Sequence, residues 1–224
     1  MATPAEKAAL LRRVSMFEGL PEDLVEALAA GAIIRKFEPG EVVFREGEPA
    51  AGLHVVDQGW VRLVRGSAEG REQVLQFVGP GEPFNPLGAF SARPNPATAE
   101  ALQRSRILVI DRHSLLANLE NHPDLAMRMI EDMADRLVHL VGLVADLSLR
   151  PVTGRLARLL LESAEDGVVA RQRWLTMAEI AARLGTVADV IQRAMSKLQA
   201  DGIIKVSRRE IRLTDIGRLR EIAE

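Results

Sequence analysis

The stretch Trp174–Gly202, WLTMAEIAARLGTVADVIQRAMSKLQADG, constrains this chain more than any other. It reads as two short helices joined by a tight turn. The first is expected over Met177–Leu184, with Thr176 as N-cap and Glu179 three residues on, a T-x-x-E capping box. Gly185 stands where a left-handed residue closes a helix. Thr186 is expected to cap a second helix from Val187 to about Ala200, with Gly202 closing it. Ile180 and Leu184, with Val190, Ala194 and Leu198, lie at helical spacing and would bury against each other. Asp189, Gln192, Arg193 and Ser196 or Lys197 then occupy the free face of the second helix. A helix-turn-helix presents a recognition helix to the DNA major groove in this way. A helical hairpin with a solvated polar face would share the pattern.

Charge is distributed to match. The whole chain of 224 residues carries a net −2. From Pro151 to Glu224, however, 13 Lys and Arg face 10 Asp and Glu, a net of +3, which leaves −5 on the remainder. That sign is the one expected if the C-terminal part meets nucleic acid. With 47% hydrophobic residues the chain can bury a full core, as one large domain or two modest ones. It has no cysteine, which excludes disulfides, thiolate zinc sites and cysteine-ligated iron–sulfur clusters. The start, MATPAEKAALLRR, has no apolar signal core, and no apolar run approaches the ~18 residues of a membrane span. The expectation is a soluble cytoplasmic protein without a membrane partner.

Residues 5–30 read as helical, with a break at Phe17–Pro21. From Ile33 to about Ile110, apolar runs (VVF, LHVV, WVRLV, QVLQFV) alternate with glycine turns, which argues an antiparallel barrel or roll. Gly81–Ala99 has four prolines and no clean period, and reads as a long ordered loop with one short turn of helix. Strand pattern returns at Arg106–Ile110.

Pro123 to Leu149 is again helical. Ile130, Met133, Leu137, Leu140, Val144 and Leu147 alternate in steps of four and three, an a/d seam over roughly two and a half heptads. Such a seam serves either a parallel homodimer or packing on the chain's own core. Val141 and Leu143 add apolar surface outside it and favour a helix burying more than one face. Arg150-Pro151 breaks the helix and marks a boundary, and Val152–Ser163 is another amphipathic helix. After the helix-turn-helix, IIKVSRREIRL reads as a β-hairpin wing with Arg208 and Arg209 at its tip, placed to touch phosphates. Thr214 is expected to cap a last helix.

This order resembles the Crp/Fnr family of bacterial transcription regulators over essentially the whole chain. The resemblance rests on Gly40, Gly47 and Gly59, the loop opening at Gly81, HPDLAMRM, VTGRLARLLL and GTVADVIQRAMSKLQADGII. It implies an α+β fold. A β-roll sensor resembling a cyclic-nucleotide-binding jelly roll, with flanking helices, would cover residues 1–122. A long dimerisation helix and hinge would cover 123–150, and a winged helix-turn-helix 151–224. It further implies a homodimer on a pseudo-palindromic operator of double-stranded DNA, with RNA polymerase as a partner.

The departures from the family are informative. Its cyclic-nucleotide members hold the phosphate with G-E-L followed by R-S. Here those places read Asn85-Pro86-Leu87 and Asn95-Pro96, so carboxylate, guanidinium and hydroxyl are all missing. The two long-helix positions that contact adenine fall on Leu140 and Val141. A buried phosphate without a cation is strongly penalised, so cyclic-nucleotide control is not expected, and a cyclic-nucleotide-responsive protein with a divergent loop is the alternative. The remaining candidate pocket is Phe84, Asn85, Leu87, Phe90, Ala97, Thr98, Leu137, Leu140 and Val141. It would be a filled core, a site for an apolar effector, or a haem site as in the family's gas sensors. For haem the candidates are His54, His113, His122 and His139, with His139 level with the pocket.

In the reading head, the family receptor's R-E-x-x-x-R places fall on Ala188, Asp189 and Arg193. Arg193 can pair with a guanine edge, Gln192 with adenine and Asp189 with a cytosine amino group, or Asp189 serves the helix start. Ala188 removes one guanine contact, so the half-site should differ from the receptor's. The expected DNA-contacting set is Thr176, Thr186, Ala188, Asp189, Gln192, Arg193, Lys197, Arg208 and Arg209. An enzyme would need clustered ligands or a nucleophile–base pair, and the four histidines are isolated.

Overall fold

The computed structural model describes residues 2–86, 90–91 and 93–224. Two short helices, α1 (Pro4–Leu11) and α2 (Glu22–Ala30), open the chain, with a 3-10 turn at Ser15–Phe17 between them. Thr3 and Glu6 form a reciprocal capping box on α1.

Eight strands follow: β1 (Ala32–Phe37), β2 (Val42–Phe44), β3 (Gly52–Gln58), β4 (Val61–Gly66), β5 (Glu72–Val78), β6 (Pro83–Phe84), β7 (Thr98–Ala101) and β8 (Ser105–Asp111). They form two four-stranded sheets, ordered β1-β8-β3-β6 and β2-β7-β4-β5. β8 runs antiparallel to β1 from Ala32↔Ile110 to Phe37↔Ser105, and to β3 on its other side. Strand β3 is buried on both faces, which is why apolar residues do not alternate with exposed ones along it. Leu53 and Val55, with Leu108 and Ile110, pack under α1 and α2. Val56, with Ile107 and Val109, turns the other way, into a roll core with Val61, Val78 and Phe84. This two-residue alternation separates the two cores.

Two strands lie where a loop was expected. β6 falls within Gly81–Ala99 and β7 begins there, pairing with both β2 and β4. Threonine and alanine alternating with a glutamate, TAEA, carry little apolar signal. The expected helical turn in this stretch falls partly on residues 87–89 and 92, outside the described residues.

After α3 (Arg112–Asn121), the long helix α4 runs from Pro123 to Leu149. Then come α5 (Val152–Glu162), β9 (Val168–Ala170), α6 (Met177–Arg183), α7 (Ala188–Ala200), β10 (Ile204–Val206), β11 (Glu210–Leu213) and α8 (Ile216–Ala223). Strand β9 was not expected. It pairs with β11, making the wing sheet three-stranded in the order β10-β11-β9. The helix-turn-helix core gathers Leu156, Leu160, Ile180, Leu184, Ile191, Met195, Leu198, Ile211 and Leu219.

The chain divides into two compact units. One comprises the residues up to Arg65 with Leu75–Val138, the other Gly66–Val74 with His139–Glu224. No helix among the described residues is long and apolar enough to cross a membrane.

Candidate nucleic-acid interface and sensor interior

The reading head is built by its helix ends. Thr176 accepts a hydrogen bond from the Glu179 backbone N–H at 3.2 Å, so α6 starts where its N-cap directs. Gly185 has φ +63°, and the Thr186 N–H reaches back to the Ala181 carbonyl at 2.9 Å, the long bond of a Schellman motif. The left-handed backbone at Gly185 strains any L side chain, and a Cβ there would lie 2.7 Å from Leu147 Cδ2, which would have to shift. Helix α7 closes the same way, with Gly202 at φ +71°, the Gly202 N–H on Gln199 and the Ile203 N–H on Leu198.

Three sequence expectations are corrected here. Thr186 is not the cap of α7: it completes the Schellman turn, and Val187 is the N-cap, with no side-chain hydrogen bond. The helix therefore begins at Ala188, and Ile191, fully buried, takes the core place expected of Val190. At the chain end, Asp215 rather than Thr214 caps α8, while the Thr214 hydroxyl donates to the Gly202 carbonyl at 2.7 Å.

With Ile191, Ala194, Met195 and Leu198 inward, the outward side of α7 carries Asp189, Gln192, Arg193, Ser196 and Lys197, all exposed. These are spaced three and four apart and share one face. Ala188 is half-buried beside them. Asp189 stands in the first turn, where the helix dipole favours its charge, and the Arg193 Nε donates to the Asp189 carbonyl at 3.4 Å.

The wing turn is held by Ser207, whose Oγ accepts from the N–H groups of Arg209 and Glu210. Arg208 and Arg209 are exposed at its tip. Sequence reading missed Arg171. Its backbone N–H bonds the Arg209 carbonyl at 2.8 Å and its guanidinium the Ser207 carbonyl at 2.9 Å, bracing the wing from β9's side. Nothing in the local sequence distinguishes it from other surface arginines.

A second missed arginine braces the end of α4. Arg155 on α5 donates through Nη1 to the carbonyls of Leu147 and Arg150, both at 3.2 Å, the orphan acceptors that end α4. Asp146 in turn accepts from Arg150 and Arg158.

In the roll, Phe84 is fully buried and the His54 ring lies 5.1 Å from both Phe44 and Phe84. His54 Nδ1 donates to the Gly52 carbonyl at 3.1 Å. Burial pushes the His54 imidazole down to about 4, against the backbone bond to Gly52. Beside it, Asn85 is buried in a left-handed conformation, φ +57°. Its Nδ2 donates to Asn95 Oδ1 at 2.9 Å, and Asn95 Nδ2 donates to the Arg45 carbonyl at 3.3 Å. Ala97 is buried, and Thr98 Oγ1 accepts from the Glu46 N–H at 3.0 Å.

The expected pocket residues are not all brought together. Phe90 packs with the α1–α2 core rather than with Phe84, and Leu87 lies outside the described residues. Leu137, Leu140 and Val141 are exposed. Arg136, unnoticed in the sequence, ties α4 to β6: it pairs with Asp132 and donates to the Pro83 carbonyl at 2.5 Å.

For haem, the candidate level with the expected pocket, His139, does not fit. Arg183 lies with Nη2 3.0 Å from His139 Nε2, and a guanidinium can only donate, so that ring nitrogen's lone pair is engaged. His54 is buried, with Nδ1 on the Gly52 carbonyl and its ring packed against those of Phe44 and Phe84. His113 and His122 lie at the two ends of α3. Among the described residues no group of three or more His, Asp or Glu could hold a metal ion.

A family model of the cyclic nucleotide-binding domain matches residues 34–122, and one of the Crp-like helix-turn-helix domain matches residues 154–222. The HTH-type transcriptional regulator Cmr of Mycobacterium tuberculosis is 30% identical over 209 residues, 92% of this chain and 82% of that one. The chain belongs to the Crp/Fnr family. A CRP-like cAMP-activated global transcriptional regulator of the same organism is 28% identical, covering 94% of this chain and 96% of its own. The structure of FixK2 from Bradyrhizobium japonicum matches with a TM-score of 0.78 at 26% identity, over 86% of this chain and 98% of that one. As a Crp/Fnr member the chain is a DNA-binding transcription regulator, and its β-roll and winged helix-turn-helix are those of the family.

Proposed function

We propose that this regulator binds a pseudo-palindromic operator in the cytoplasm as a homodimer joined through α4, in partnership with RNA polymerase, and without control by cyclic nucleotides. The carrying observation is the Asn85–Asn95 pair. Both side chains are buried and bonded to each other where the family's cyclic-nucleotide members hold a phosphate. Neither amide can neutralise an anion, and displacing them would leave buried polar groups unpaired.

The dimer is supported by α4 itself. Ile130, Leu137, Val138, Val141 and Val144 are each more than half exposed in the single chain, an apolar stripe far beyond ordinary surface. Leu147 differs from the rest of the seam, being half-buried and close to the turn at Gly185. The DNA contacts proposed are Thr176, Ala188, Asp189, Gln192, Arg193, Lys197, Arg208 and Arg209, with Thr186 in the turn behind them.

One observation favours a second reading, cyclic-nucleotide control through a divergent loop: a 28% identical relative is cAMP-activated. Calorimetry of the full chain with cyclic AMP and cyclic GMP separates the two. The first reading expects no heat of binding, and unchanged operator affinity at millimolar nucleotide. Micromolar binding with a gain in operator affinity would establish the second.

A further inference from the structure

The N-cap of the reading helix is occupied by the wrong kind of residue for a cap. Thr3, Asp111, Thr176 and Asp215 each accept a backbone N–H in the first turn of the helix they precede. Val187 does not, because valine has no acceptor. Serine, threonine, asparagine and aspartate are the residues that stabilise this position. Val187 has the extended backbone of an ordinary N-cap, φ −115° and ψ 155°, so geometry does not demand a branched apolar side chain. Nor does packing: the side chain is 60% exposed and absent from the helix-turn-helix core.

Its place explains what the cap and the core do not. Val187 lies one residue before Ala188 and two before Asp189, at the end of the helix that in this architecture lies nearest the base edges. The neighbouring reading residues Asp189, Gln192 and Arg193 are polar and suit hydrogen-bonding edges. The major groove offers one prominent apolar group, the C5-methyl of thymine. We infer that Val187 is a specificity-determining residue that reads a thymine in each half-site by contact with that methyl. The inference rests on DNA reading by α7 and is independent of any effector.

The test uses the full chain and an operator selected from a randomised duplex pool. Each thymine of the half-site is replaced singly by deoxyuridine, which removes the methyl and keeps the pairing. One position should weaken wild-type binding roughly fourfold, the worth of one buried methyl. The same replacement should leave Val187→Ala and Val187→Ser unaffected. Val187→Ser should melt at or above the wild-type temperature, since serine supplies the missing cap, so its loss of preference would not be a loss of fold. The inference is overturned if no deoxyuridine position distinguishes wild type from the two variants. It is equally overturned if the variants weaken the operator and a random duplex alike, which would make Val187 a backbone contact. A selection that enriches no sequence would overturn base reading by α7 as a whole, and Arg193→Ala would then also be without effect.

Discussion

At the residue scale, two side chains make the contrast between surface and core chemistry. Arg193 is exposed on α7 with its Nε on the Asp189 carbonyl, which leaves its two Nη groups free to fork toward a guanine edge. Arg193→Ala should cost about 1–3 kcal/mol on the selected operator and relax preference at one base pair, measured by mobility shift. Binding as tight as wild type would remove Arg193 from the reading set. His54 is its opposite, buried and neutral. Its folded pKa of about 4 lies below the ordinary 6.5, so between these values the unfolded chain binds the proton that the folded chain refuses. Stability contributed by neutral His54 is present above pH 6.5 and is lost as pH falls toward 4. The loss is on the order of 2 kcal/mol at pH 5. Denaturant midpoints at pH 7 and pH 5 should differ more for wild type than for His54→Phe, and equal differences would show that His54 is not the group responsible. The reading face carrying Arg193 was legible because helical periodicity exposes it. His54's surroundings were not, because the rings of Phe44 and Phe84 reach it from two other strands.

At the scale of elements, helix ends were read well and strands of weak apolar character poorly. Gly185 and Gly202 announce their Schellman turns because almost no other residue tolerates a left-handed C′ position. Thr186 misled because it follows that glycine directly, and the Schellman bond claims its N–H one residue before the N-cap, Val187. Strands β7 and β9 escaped notice because partners, not their own residues, make them strands: β7 lies between β2 and β4, and β9 completes the sheet beside β11. Helix α4 poses the element-scale prediction. Leu137 and Val141 are 63% and 62% exposed, so charges there cost the single chain little. Leu137→Glu with Val141→Glu should convert the proposed dimer to a folded monomer, followed by light scattering with circular dichroism as the control. A variant that remains dimeric would place the interface elsewhere.

At the scale of the whole molecule, a chain of net −2 binds a polyanion through local charge. The segment from Pro151 onward, net +3, carries Arg208 and Arg209 at the exposed wing tip. Operator affinity should fall steeply with salt, and Arg208→Ala should weaken specific and random duplexes alike while reducing the log–log salt slope by about 1. An unchanged slope would mean that Arg208 does not touch phosphate. The sequence by itself determined the order of the parts: the glycine-punctuated roll, the long helix broken at Pro151, and the capped helix pair with its wing. Each of these is written in local spacing and in backbone conformations that only certain residues adopt. Tertiary structure alone decided the rest. It paired Asn85 with Asn95 and laid Arg155 across the carbonyls that end α4. It also drew Ile191 rather than Val190 into the core and left Val187 bare at the head of α7. Hydrogen bonds and burial between residues on different elements and loops depend on how those segments meet, and no local pattern records that meeting.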